Sequence, residues 1–141
     1  MDTTLIVSAL LSTIISAVIS YRIANNKNVK SEEARLNEQI LELNKIVIKY
    51  PYLEDDDFCK TWPDNRYSKE EKYLRYDSYC CIVFNLLEQI YKLYKGNEDK
   101  MENFFYVKEL IRRHKYWWIS TFENIDGYNS NFREYAKNIV K

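Results

Sequence analysis

An all-α fold is what this sequence predicts, and three observations carry the prediction. Apolar residues recur at spacings of three and four along nearly the whole chain, no segment sustains a period of two, and Gly and Pro number only two each in 141 residues. A β-sandwich or barrel would need many more turn residues. The expected layout is one N-terminal transmembrane helix in residues 1–24, a juxtamembrane segment in 25–30, and a compact cytosolic bundle of about four helices in 31–141.

The first element is the most distinctive. From Thr3 to Tyr21 nineteen residues carry no charge. At about 1.5 Å rise per residue such a helix spans about 28 Å, close to the roughly 30 Å hydrocarbon core of a bilayer. Asp2 is the only charged side chain before the run, which is not the basic start of a cleaved signal peptide. Arg22, Lys27 and Lys30 follow the run, so the positive-inside rule places the C-terminal domain in the cytoplasm and the N-terminus outside. In a bacterium this is an inner-membrane, single-pass protein.

Ser8, Ser12, Ser16 and Ser20 recur at spacing four, with Ala9, Thr13 and Ala17 as a neighbouring row, while bulky aliphatic residues occupy the other side. Lipid requires no such division. Small residues let helix backbones approach closely, and hydroxyls bond across the contact at about 0.6–2 kcal/mol each. A single span finds such a partner in another chain, so homo-oligomerisation within the lipid bilayer is expected. Two readings of the face stay open: a packed seam, or the lining of a narrow pore formed by several copies.

Ser31 followed by Glu32 and Glu33 reads as a helix start, and Leu36, Ile40, Leu43, Val47 and Tyr50 then form its apolar row up to Pro51. Residues 50–67 read as a loop with four consecutive acids, Glu54 to Asp57. Ser68 with Glu71 reads as a capping box. The row Tyr73, Tyr76, Cys80, Val83, Leu87, Ile90 and Tyr94 marks a long helix closed by Gly96. A third helix is expected from Asp99, with the row Phe104, Val107, Ile111, His114 and Trp118. After Asp126-Gly127 a short last helix carries Tyr128, Phe132, Tyr135 and Ile139.

For chemistry the sequence offers little. Twenty-one Lys and Arg balance 21 Asp and Glu, so no net charge steers the protein onto nucleic acid. No Gly-rich phosphate loop is present, and a single imidazole, His114, excludes His-rich metal sites. Cys59, Cys80 and Cys81 are an odd count with two adjacent, which suits buried thiols in a reducing compartment and not a disulfide framework. The acid run lacks the alternating ligands and glycine of a calcium loop, so it reads as solvated or paired with cations. His114 reads as a core histidine, with acid-base work the alternative. No catalytic residue, metal or cofactor is expected. Lys108, Arg112, Arg113, His114 and Lys115, with Trp117 beside them, read as the basic solvent side of an amphipathic helix whose tryptophans are buried or at an interface, or as a surface that could contact RNA, a nucleotide or an anionic lipid headgroup. Pairing of this basic stretch with the acid run of another subunit is a further use for both.

The short uncharged span, the all-helical domain and the Arg/His-bearing late helix together resemble the small membrane-anchored accessory protein of type VI-B CRISPR systems. That resemblance implies a helical fold like that of HEPN nucleases, a ring-shaped membrane pore and a part in antiphage defence beside a protein or RNA component. It implies no catalytic residues. HEPN nucleases carry an arginine, then four to six intervening residues, then the histidine, and here the positions for that arginine hold Val107, Lys108 and Glu109. The expected function is therefore a membrane-anchored, self-associating, membrane-perturbing or pore-forming protein. The alternatives are a tethered binding module using the Lys108–Trp118 face and a divergent HEPN-type ribonuclease.

Overall fold

The computed structural model describes residues 3–120 and 125–141, with side chains described from residue 15 onward. All regular structure among the described residues is helical. The chain divides into two units, Met1–Arg35 and Leu36–Lys141. Helix α1, Thr3–Lys49, contributes to both.

In unit 1, α1 passes through residues 25–31 without interruption, so the new helix start expected at Ser31 is not present. The reason is compositional: no Gly or Pro occurs before Pro51, and the ion pair of Arg35 with Glu32 at 2.8 Å supports the turn in place of a cap. Among the described residues no helix is long and apolar enough to cross a membrane. The span expected of residues 1–24 thus gains no support here, although the side chains of residues 3–14 lie outside the described set.

Unit 2 begins on the last turns of α1. Leu36 and Leu43 are buried there, with Ile40, Val47 and Tyr50 packed against the core. Pro51 ends the helix by restricting the residue before it. The stretch after it is not the loop expected. A 3₁₀ turn occupies Pro51–Glu54, α2 spans Asp56–Lys60 and α3 spans Trp62–Asn65. Asp55 caps α2 by accepting the Phe58 N–H at 2.7 Å. Leu53, Cys59 and Trp62, all buried, fix this ribbon of short helices to the core.

Helix α4, Glu71–Tyr94, is central. Beyond the expected row it buries Tyr79, Phe84 and Leu86, because partners cover it on more than one side. Ser68 does not form a capping box; its Oγ accepts the Glu70 N–H at 3.1 Å, ahead of the first turn. At the other end Lys95 and Gly96 both take left-handed backbone (φ 53 and 71), and the Gly96 N–H bonds the Tyr91 carbonyl at 3.0 Å.

The single late helix expected from Asp99 is three pieces: α5 Glu98–Phe104, α6 Val107–Arg113 and α7 Lys115–Ser120. Asn97 caps α5 through the Lys100 N–H at 3.0 Å. The Glu102 carboxylate accepts the Lys108 N–H at 2.9 Å, supplying a cap for α6 from across the break. Helix α8, Ser130–Val140, starts on the Asn129 side-chain cap, and the Asn129 N–H bonds Glu88 of α4 at 2.5 Å. The expected apolar rows survive these breaks, with Val107, Ile111, His114, Trp118 and Phe132 all buried.

Aromatic rings fill the middle. Phe84 stacks on both Trp117 and Trp118, at centroid distances of 5.2 and 4.6 Å. Phe58 stacks on Tyr73 at 5.4 Å and meets Tyr76 edge-on at 5.4 Å. Such pairs add about 0.5–1.5 kcal/mol each beyond burial. Trp117 Nε1 donates to Asp77 Oδ1 at 2.7 Å, so its buried indole is satisfied.

All three tryptophans, Trp62, Trp117 and Trp118, lie in unit 2, so their fluorescence reports that unit alone. A Cβ added at Gly96 would meet the Tyr91 hydroxyl at 2.9 Å and strain a backbone at φ +71. Gly96→Ala is expected to destabilise unit 2 by about 1–2 kcal/mol. An unchanged midpoint in urea unfolding followed by tryptophan fluorescence would contradict that.

Candidate functional site

The chemistry-bearing side chains of unit 2 converge on His114. It stands at the junction of α6 and α7 and is 0% exposed, the one buried polar or charged residue among those described. Its Nε2 lies 3.0 Å from Glu54 Oε1. An ionised carboxylate only accepts, so Nε2 carries the proton and donates. Nδ1 is 3.1 Å from the Tyr76 hydroxyl and 3.8 Å from Cys59 Sγ. The rings of Tyr76 and Tyr79 close over the imidazole at centroid distances of 5.7 and 5.6 Å.

Glu54 ends the 3₁₀ turn and is the hub of the cluster. It accepts from His114, from the Tyr79 hydroxyl, and from Arg113 Nη1 at 2.7 Å. Arg113 in turn lies 3.2 Å from Glu109 and 3.4 Å from Asp56. These contacts therefore tie the 3₁₀ turn and α2 to α4 and to the α6–α7 junction.

The electrostatics of the cluster follow from burial and from these donors. Burial alone would raise the Glu54 carboxyl, but the hydrogen bond and charge of His114, then Tyr79 and Arg113, outweigh it and hold the group at about 2. Burial pushes the Cys59 thiol up to about 11, with the charges of Glu54 and Asp56 adding to the effect against a hydrogen bond to Tyr76. The phenols of Tyr76 and Tyr79 are raised, chiefly by burial. Glu54 is thus a poor base and Cys59 a poor nucleophile. The Cys59 thiol is 3.6 Å from the Leu53 carbonyl and donates to it. A Cys–His nucleophile needs a thiolate, and this environment opposes one.

Around the cluster, the acid run is used up locally. Glu54 and Asp56 face Arg113, Asp55 caps α2, and Asp57 pairs with Lys60 at 2.9 Å. The basic stretch and the acid run do pair, within one chain through Arg113. Among the described residues, no group of three or more His, Cys, Asp or Glu side chains could hold a metal ion.

The residues expected at an anionic-ligand face are not brought together as one. Trp117 is 0% exposed and stacked on Phe84, so it offers no face to a base, and His114 is equally buried. Arg113 is engaged by acids, and Lys108 pairs with Glu98 at 2.6 Å. Arg112 is exposed, and Lys115 is half-buried with its amine 5.2 Å from the Tyr116 ring centroid. The break at His114 separates these last two into different helices. Of the expected intramembrane face, Ser16 and Ser20 are exposed, whereas the side chains of Ser8, Ser12 and Thr13 lie outside the described set. Nothing local in the sequence marks Glu54 as the partner of His114, since the two are 60 residues apart and Glu54 reads as one acid among four.

No family model, no curated protein and no solved structure matches the chain.

Two measurements check this site. Because the folded-state pKa of Glu54 is lowered, its contribution to stability is present above the ordinary value of 4.5 and is lost as pH falls from there through about 2. The unfolding midpoint of unit 2 is expected to fall across that window. In Glu54→Gln the acid dependence flattens, and overall stability drops by roughly 3 kcal/mol, as when one partner of a buried pair is removed. An acid profile identical in wild type and variant would contradict the arrangement.

The second concerns the thiols. Cys59 and Cys80 are buried and Cys81 half-buried, and burial raises all three thiols. Titration of the native chain with a thiol reagent near neutral pH should leave Cys59 and Cys80 unmodified. Denaturation should expose both at once. Rapid modification of Cys59 in the folded protein would restore it as a nucleophile.

Proposed function

We propose that this protein is a membrane-anchored helical protein that self-associates through the N-terminal part of α1 and perturbs the bilayer, as a pore or as a packed oligomer, in bacterial antiphage defence. The observation that carries the reading is that unit 1 contains α1 and no other element among the described residues. It nonetheless exposes Ile15 (57%), Val18 (47%), Ile19 (52%) and Ile23 (53%). Apolar side chains at that density on a helix without a covering element need lipid or another chain. The uncharged run from Thr3 to Tyr21 and the basic residues after it, read from sequence, favour lipid with the C-terminal unit on the cytoplasmic side.

The resemblance to the type VI-B accessory protein supplies the defence context, and the small-residue face at Ser8, Ser12, Thr13, Ser16 and Ser20 supplies the contact between copies. The geometry of unit 2 lends weight to a non-enzymatic role. Its histidine, its acid run and two of the four basic side chains of the stretch, Lys108 and Arg113, are engaged by internal contacts, which speaks against that stretch as one ligand-binding or nuclease face.

The experiment is the mass of the full-length chain in mild detergent beside a chain beginning near Asn28. An assembly lost on removal of the N-terminus supports the reading, and a full-length monomer ends it. Ser12→Leu with Ser16→Leu should abolish dye release from liposomes if the serines line a path. Retained release would assign them to packing.

A further inference from the structure

A second exposed row runs along α1 inside unit 2, apart from the row that enters the core. Leu36, Ile40, Leu43, Val47 and Tyr50 face the core. Asn37, Leu41, Asn44 and Ile48 lie roughly 120° round the helix from them at about 100° per residue, and all four are exposed, Leu41 at 60% and Ile48 at 79%. Their spacing is four, three, four, which is the seam of a coiled coil with apolar and amide residues alternating. On the flank away from the core Glu42 pairs with Lys45 at 2.6 Å within the same helix, leaving the row itself uncharged.

We propose that this row is a contact between copies of this chain, packed in parallel with Asn37 against Asn37, Leu41 against Leu41, Asn44 against Asn44 and Ile48 against Ile48. It rests on the self-association proposed above. The alternation identifies the occupant. Lipid or an apolar partner would leave two amides without hydrogen-bond partners, whereas a second copy in register puts amide opposite amide and aliphatic opposite aliphatic. Parallel order follows if both N-termini enter one membrane. Area supports the dependence on unit 1: four side chains per copy fall well short of the roughly 1,200 Å² that a stable interface buries. The row therefore closes only when association of the N-terminal helices raises the local concentration of a second copy towards the millimolar range, on the order expected for linked sites. Its consequence is register, with the amides rejecting pairings shifted by three or four residues, which would set amide against aliphatic side chains.

The test is oxidative cross-linking of the full-length chain in mild detergent, with Leu41→Cys, Ile48→Cys and, as the control on the flank, Lys45→Cys, against wild type as the baseline for the native thiols. Several-fold more disulfide-linked dimer at 41 and 48 than at 45, lost when residues before Asn28 are removed, is the expected result. Leu41→Glu should shift the mass distribution towards smaller species while leaving tryptophan fluorescence unchanged, because Leu41 is outside the core. An oligomeric chain with no excess cross-linking at 41 and 48 overturns this inference and leaves self-association standing. A monomeric chain overturns both. Protection of the residue-41 thiol from a water-soluble maleimide without a dimer band assigns the row to lipid or to a different partner and likewise overturns it.

Discussion

Unit 2 is organised around one costly arrangement, a fully buried imidazole held against a carboxylate. A charge or strong dipole in a low-dielectric interior persists only if every polar atom finds a partner. Here Nε2 faces Glu54, Nδ1 faces Tyr76, and the second carboxylate oxygen faces Arg113. Satisfying those atoms fixes the rest. The 3₁₀ turn must place Glu54 inward, so Leu53 and Cys59 on either side are buried with it. Helix α4 must present Tyr76 and Tyr79 together, which widens its buried face. The helix that begins at Val107 ends at Arg113, one residue before the histidine, so that Arg113 and His114 can both reach a single acid.

That constraint also explains what the sequence could and could not convey. Periodicity reports which side of a helix is covered, and it correctly marked Leu36, Leu43, Tyr76, Val83, Leu87, Ile111, Trp118 and Phe132 as core. It does not report where a helix stops when neither Gly nor Pro marks the end. The breaks at Phe105 and His114 are set by tertiary partners: Phe105 is extended (φ −159, ψ 147) and buried, and α6 borrows its cap from Glu102. The helical content of residues 51–65 was legible in principle. Asp55 stands at a cap position, and Pro51 and Pro63 sit in first turns, yet the acid run and two prolines suggested a loop.

The candidate site was less legible than the fold. His114 was placed correctly on the apolar row, but its partner lay 60 residues away within a run whose local reading was solvation. In the sequence, Trp117 stays open between a buried place and an exposed face for a related reason. Adjacent Trp117 and Trp118 cannot both lie on the narrow apolar row of one straight helix. The change of direction at His114 lets both reach Phe84. Even the acid run and the basic stretch, each read as reaching for something outside, turn out to satisfy each other through Arg113.

This internal closure bears on where a function can reside. In unit 2 the cluster's Glu54 is held low and its Cys59 high, which opposes base and nucleophile chemistry, and the rings of Tyr76 and Tyr79 pack on His114. Exposed apolar residues lie on α1, at Ile15, Val18, Ile19, Tyr21 and Ile23 in unit 1 and Leu41 and Ile48 in unit 2, and elsewhere in unit 2 at Tyr67, Leu74, Ile82, Tyr106 and Ile119. A folded chain whose buried polar chemistry serves its own stability leaves contacts with other molecules to exposed side chains such as these. Side-chain type distinguishes the two parts: uninterrupted aliphatic rows suit an apolar surrounding, whereas rows interleaved with asparagine suit one that returns hydrogen bonds, be it water or another chain.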